Sequence, residues 1–133
     1  MSRRFRLAYL GAAAVAIALM LIGLRFALDP STAATSAGFG FSAVSLGEAK
    51  GVRDLGSGLV VLALVWAGQR RPLGAALLAF ACIPTCDAAI VLLHGGPPAI
   101  ALGIHAASAC LLLVLAGLLL WHPTRQGAVD PHA

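Results

Sequence analysis

Lys50-Gly51-Val52-Arg53-Asp54-Leu55-Gly56-Ser57-Gly58-Leu59, which continues as an apolar run to Gly68, is the stretch on which the fold turns. Spanning a ~30 Å hydrocarbon core takes about 20 residues at ~1.5 Å each. The run from Leu55 to Gly68 is too short for that. It can cross only if Arg53 and Asp54 are drawn into the outer boundary of the bilayer or deeper. Its shortness is therefore information about buried charge rather than an argument against a span.

Three further runs surround it: Leu7 to Leu24, Pro72 to Leu93 with one break at Asp87, and Ala99 to Trp121. Each is long enough to cross directly. Composition agrees, with 60% hydrophobic and 11% charged residues against about 45–50% and about 25% in ordinary soluble domains. The expectation is an all-α, integral membrane four-helix bundle forming one transmembrane domain over 1–133. Its helices are expected near 7–26, 52–69, 72–94 and 98–121.

The charge of +4 is a topology signal. Arg3, Arg4 and Arg6 precede the first run, Arg70 and Arg71 fill the turn after the second, and Arg125 follows the fourth. With four crossings these segments share a side, which the positive-inside rule makes cytoplasmic. The chain is thus expected N-in/C-in, multi-pass, in the inner membrane, with 122–133 as a cytoplasmic tail. Nucleic acid is not expected as a partner. Ser2 to Leu7 invites a signal-peptide reading, but the apolar run exceeds a usual h-region, and Arg25 and Asp29 separate it from any cleavage site. The first helix is expected to be retained.

Pro30 should end the first helix. Residues 31–50 then form the longest loop, expected at the outer interface and possessing an aromatic stretch at Phe39-Gly40-Phe41. Pro84 should kink the third helix, with Thr85 placed to satisfy the freed carbonyl. Cys82 and Cys86 are four apart on one face, unlike a C-x-x-C redox pair, and are read with Cys110 as small buried hydrophobes. Asp87, His94 and His105 have the chemistry of metal ligands but no recognised motif, and no phosphate-binding loop is present. No metal or cofactor is expected.

Depth gathers the ionisable residues. Asp87 rises about 22 Å from Pro72, some 7–8 Å short of the outer edge of a ~30 Å core. His105, counted from Ala99, falls ~9 Å below the same edge. Arg25 and Asp54 come out at or just within it. Intramembrane charge is costly and marks functional sites by default, so Arg25, Arg53, Asp54, Asp87, His94 and His105 are the ligand-binding or ion-pair candidates. Asp87 and His105 are the catalytic candidates, because side by side they would form a proton-transfer couple. Arg25 and Arg53 would steer an anionic or carbonyl group. Three uses stay open: ion pairs that tie helices together, a proton or catalytic relay, and a ligand or ion site.

With these residues in place, the chain resembles a family of small four-helix membrane proteins known only as a domain of unknown function, broadly similar to DoxX-like proteins. The resemblance rests on Gly23-Leu24-Arg25-Phe26 leading to Pro30, Phe39-Gly40-Phe41, Lys50 to Leu59, Asp87 to Val91 through His94-Gly95-Gly96, and Gly103-Ile104-His105. It implies a four-helix membrane bundle and supplies no activity. The leading expectation is a polar site near the outer face that handles protons or binds a small lipophilic ligand. The alternatives are a proton-coupled transporter and an accessory subunit of a larger membrane complex, with the lipid bilayer as partner in every case.

Overall fold

The computed structural model describes residues 3–36, 38 and 44–121, with 44–46 as backbone alone. The expected Phe39-Gly40-Phe41 segment and the tail at 122–133 lie outside the described residues. An alanine- and leucine-rich run with no proline before Pro30 forms α1, Arg3–Leu28. Pro30 does not merely end that helix. It opens a second, α2 (Pro30–Ser36), because Asp29 caps it. The Asp29 carboxylate accepts from Ser31 Oγ and Thr32 N–H, both at 3.2 Å.

The helix expected from residue 52 begins at Val44 and runs to Trp66 as α3. Glu48 and Lys50 are therefore helical, although the sequence reading placed them in a loop. The next rod runs from Arg70 to Leu93 and breaks at Ala81 into α4 (Arg70–Phe80) and α5 (Cys82–Leu93). The break lies one turn before Pro84, where a missing N–H disrupts the helical ladder. Thr85 Oγ1 donates to the Ala81 carbonyl at 2.8 Å. The last rod, Pro98–Leu120, opens with the short turn α6 (Pro98–Ile100), passes through a π-helical turn at Ala101–Ala106 and continues as α7 (Ala107–Leu120).

Among the described residues, three helices are long and apolar enough to cross a membrane. They are Arg3–Leu28, Arg70–Leu93 and Pro98–Leu120, each with an 18-residue stretch of mean hydropathy 2.4, 2.2 and 2.3 respectively. This composition is compatible with an integral membrane protein. α3 is as long as the last rod, at 23 residues, or about 34 Å. Its charged residues keep it outside that set.

α1 and α3 pack antiparallel at very close range. A Cβ on Gly23 would sit 2.7 Å from the Gly51 carbonyl oxygen, and one on Gly51 would sit 2.8 Å from that of Gly23. Such mutual approach is available only to residues without side chains. At the other end of the pair, Gly58 lies against Ala16 and Met20, which fixes the antiparallel register. α4 packs in the same way on α7, with Gly74 against Leu119 and Leu120.

Two apolar clusters result. One joins Ala8, Ala12, Ala16, Val61, Leu73, Leu77 and Leu119 near the start of α1. The other joins Phe26, Ala33, Ala34, Ala88, Val91 and Ala101 at the far end. The buried polar side chains, Asp54, Ser57, Asp87 and His105, belong to neither cluster.

Candidate functional site

Lys50, Arg53, Asp54 and Ser57 fall at i, i+3, i+4 and i+7 along α3, so they share one helix face. That face looks toward Asp87 on α5. Lys50 Nζ donates to Asp87 Oδ2 at 2.7 Å and to Asp54 Oδ2 at 3.1 Å. Arg53 donates through Nη2 to Asp87 Oδ2 at 3.1 Å and through Nε to Asp54 Oδ1 at 3.2 Å. Two cations and two carboxylates thus form one neutral network. Asp54 and Asp87 are 3% and 4% exposed, and buried carboxylates persist as charges where cations and hydrogen bonds meet them.

The network spans a gap. Among the described residues, no Cα of α3 lies within 8 Å of one in α5. The long side chains of Lys50 and Arg53 make the connection. Beside this bridge lies a cavity of about 360 Å³, walled mainly by α1, α3, α5 and the last rod, with Ala33 and Ser36 of α2 and Phe80 of α4 completing it. Ala18, Ile22 and Arg25 on one side and Ile104, Ser108 and Leu111 on the other line the cavity and are also exposed. The mouth therefore opens on the outer surface of the protein, between α1 and the last rod.

The inner wall carries Lys50, Asp54, Ser57 and His105, and the remaining lining is mostly apolar. His105 lies within the π-helical turn, where the Ala107 N–H reaches back to the Leu102 carbonyl. It is buried together with Ala101, four residues before it on the same face. His105 is 7% exposed.

The candidates separate accordingly. Arg53, Asp54 and Asp87 meet in the network, and Arg25, Asp54 and His105 line the cavity. The Asp87 carboxylate accepts from Lys50 and Arg53. Arg53 belongs to the network, and Arg25 is the arginine on the cavity wall.

His94 is exposed, its Nδ1 lying 2.9 Å from the Ile90 carbonyl at the end of its own helix. The cysteines correct the sequence reading. Cys82, Cys86 and Cys110 are exposed, because Asp87, Ala88 and Val91 occupy the inward face of α5 and Ala109 and Leu112 that of α7. Among the described residues, no group of three or more His, Cys, Asp or Glu side chains is placed to hold a metal ion.

Lys50 is the member that sequence reasoning missed, although its signal was present. Lys50 and Asp54 are spaced i, i+4, as an intrahelical ion pair requires. Assigning 31–50 to a loop hid it. Near the mouth, Asp29 is held below the usual carboxylate range by hydrogen bonds from the Thr32 side chain and backbone, with smaller help from Ser31 and the charge of Arg25.

Residues 16–119 match the family described as Domain of unknown function (DUF4267), and the chain belongs to it. Comparison with curated proteins gives no match, and comparison with solved structures gives none either.

Proposed function

We propose that this DUF4267 protein is a multi-pass inner-membrane four-helix bundle, N-in/C-in and broadly DoxX-like, that binds a small lipophilic molecule through a side opening in the outer leaflet. α3 serves as the fourth span. Its charges support that role, since Lys50 and Asp54 turn inward and, with the more exposed Arg53, are neutralised with Asp87. The topology draws support from the opposite end. There Arg4 and Arg70 both stack on the Phe5 ring, at 4.8 and 4.4 Å, and Trp66 and Trp121 are exposed, as boundary aromatics are.

The observation that carries the binding reading is the cavity itself. Its mouth lies between two apolar helix faces, and its inner wall is polar. An apolar ligand body can enter from the acyl region while a polar head reaches Ser57 and Asp54. A volume of about 360 Å³ is at the lower end of the ~300–1,000 Å³ range of small-molecule sites.

Native mass spectrometry of the detergent-purified protein, beside Ala18→Trp, tests this. Ala18 is exposed at the mouth, so the indole occludes entry without entering the core. The expected result is a lipophile retained by wild type, or taken up from an added panel, and excluded by the variant. Equal uptake by both proteins, or no uptake by wild type, overturns the reading.

A further inference from the structure

The cavity wall also specifies the kind of head it receives. Three serines line it, and each hydroxyl proton is already committed to its own helix. Ser57 Oγ donates to the Arg53 carbonyl at 2.9 Å, Ser108 Oγ to the Ile104 carbonyl at 2.7 Å, and Ser36 Oγ to the Ala33 carbonyl at 2.9 Å. A hydroxyl that has donated its one proton keeps lone pairs for accepting. These serines therefore present acceptors to the cavity, and the Asp54 carboxylate adds another beside Ser57.

Charge points the same way. In the network Lys50 and Arg53 are matched by Asp54 and Asp87, and every carboxylate oxygen already takes a cationic donor. An anionic head brought to the inner wall would arrive with no uncompensated cation in that network. Arg25, the further cation on the wall, sits exposed at the mouth and interacts with Asp29. Burying a charge without a partner is far more costly than burying a hydroxyl that finds an acceptor.

From these observations we infer that the ligand is a neutral lipophile whose head donates a hydrogen bond, a long-chain or isoprenoid alcohol or a phenol, and not a fatty acid or a phospholipid. This rests on the proposed binding reading and names its ligand class. The hydroxyl donates to Ser57 Oγ, with the Asp54 carboxylate beside it, and the chain lies along Leu19, Ile22 and Leu111 toward the mouth.

The test compares three molecules of one C15 isoprenoid skeleton, the primary alcohol, the carboxylic acid and the hydrocarbon, titrated at pH 8 into wild-type protein in detergent and read by native mass spectrometry. The alcohol should bind at least tenfold more tightly than the other two. Ser57→Ala, which removes one acceptor without adding bulk, should weaken the alcohol about fivefold, the worth of a single hydrogen bond, and leave the hydrocarbon unchanged. Acid binding equal to or tighter than alcohol overturns the head assignment while the pocket reading stands. Equal binding of alcohol and hydrocarbon also overturns it, and binding by none of the three overturns both readings.

Discussion

Asp87→Asn keeps the shape of the side chain and removes the charge that joins α5 to α3. Asp87 takes a 2.7 Å bond from Lys50, whose side chain is 14% exposed, and a 3.1 Å bond from Arg53, whose side chain is 39% exposed. A hydrogen bond to a buried charge contributes about 1.5–3 kcal/mol, which fits the Lys50 bond. The Arg53 bond is discounted to at most about 0.5 kcal/mol because the guanidinium can rehydrate. Lys50 retains Asp54, so the substitution should destabilise the protein by about 2–3 kcal/mol, at the low end for a broken buried pair. That is roughly a 30- to 150-fold change in the unfolding equilibrium, measurable by reversible unfolding in mixed SDS and mild detergent.

Lys50→Met should cost a similar amount, because it leaves Arg53 facing two carboxylates. The double variant Lys50→Met/Asp87→Leu removes one cation and one anion and leaves the 3.2 Å Arg53–Asp54 pair in place. Since apolar residues can replace a buried ion pair at little cost, it should recover at least about 2 kcal/mol relative to the summed losses of Lys50→Met and Asp87→Leu, each measured singly. Strict additivity would refute the claim that these residues act as one network.

Gly23→Val should destabilise the protein by about 3 kcal/mol or more, above the usual range for overpacking, because the new side chain meets the Gly51 and Leu55 backbone at 2.7 Å. Gly56→Ala, with nothing within 4 Å of the new Cβ, should be neutral or slightly stabilising in the same assay. Replacing Cys82, Cys86 and Cys110 together by Ala should shift stability by less than about 1 kcal/mol, as surface substitutions do, since all three are exposed. In that background a single Cys at Gln69 should react with an impermeant maleimide from the cytoplasmic side only, and outside labelling would overturn the N-in topology.

The lowered Asp29 carboxyl favours the fold above the unfolded value of 3.8, and that contribution is lost as pH falls through the still lower folded value. Asp29→Ala should therefore flatten the acid limb of the pH–stability curve, which thermal unfolding between pH 2 and 6 measures.

The apolar helices were legible because runs of about 20 apolar residues have few readings other than a helix able to cross a membrane. Three of the four runs correspond to helices long and apolar enough to cross. The start of α3 was not legible from hydropathy, because Glu48, Lys50, Arg53 and Asp54 lower it where helix and charge coincide. Ion-pair spacing was the better guide, since Lys50 and Asp54 make sense together only on a helix. The π-helical turn at Ala101–Ala106 has no compositional mark. The burial of His105 was legible apart from it, since His105 shares a helix face with Ala101, four residues earlier. Asp29 before Pro30 was a cap legible in retrospect, outweighed by treating the proline only as a stop signal.

The two seams along α3 show why the polar site and the cavity occur together. Toward α1, α3 presents Gly23 and Gly51 in mutual backbone approach, the arrangement that closes a helix pair most tightly. Toward α5, the same helix presents Lys50 and Arg53, long side chains that meet Asp87 without bringing the backbones within 8 Å. Had tight packing been the only requirement, small residues would have closed that seam as they close the first. Charged side chains instead bridge the gap, the ammonium and guanidinium reaching the carboxylate across it. The network therefore joins α3 to α5 without close backbone approach, and the cavity lies beside that bridge.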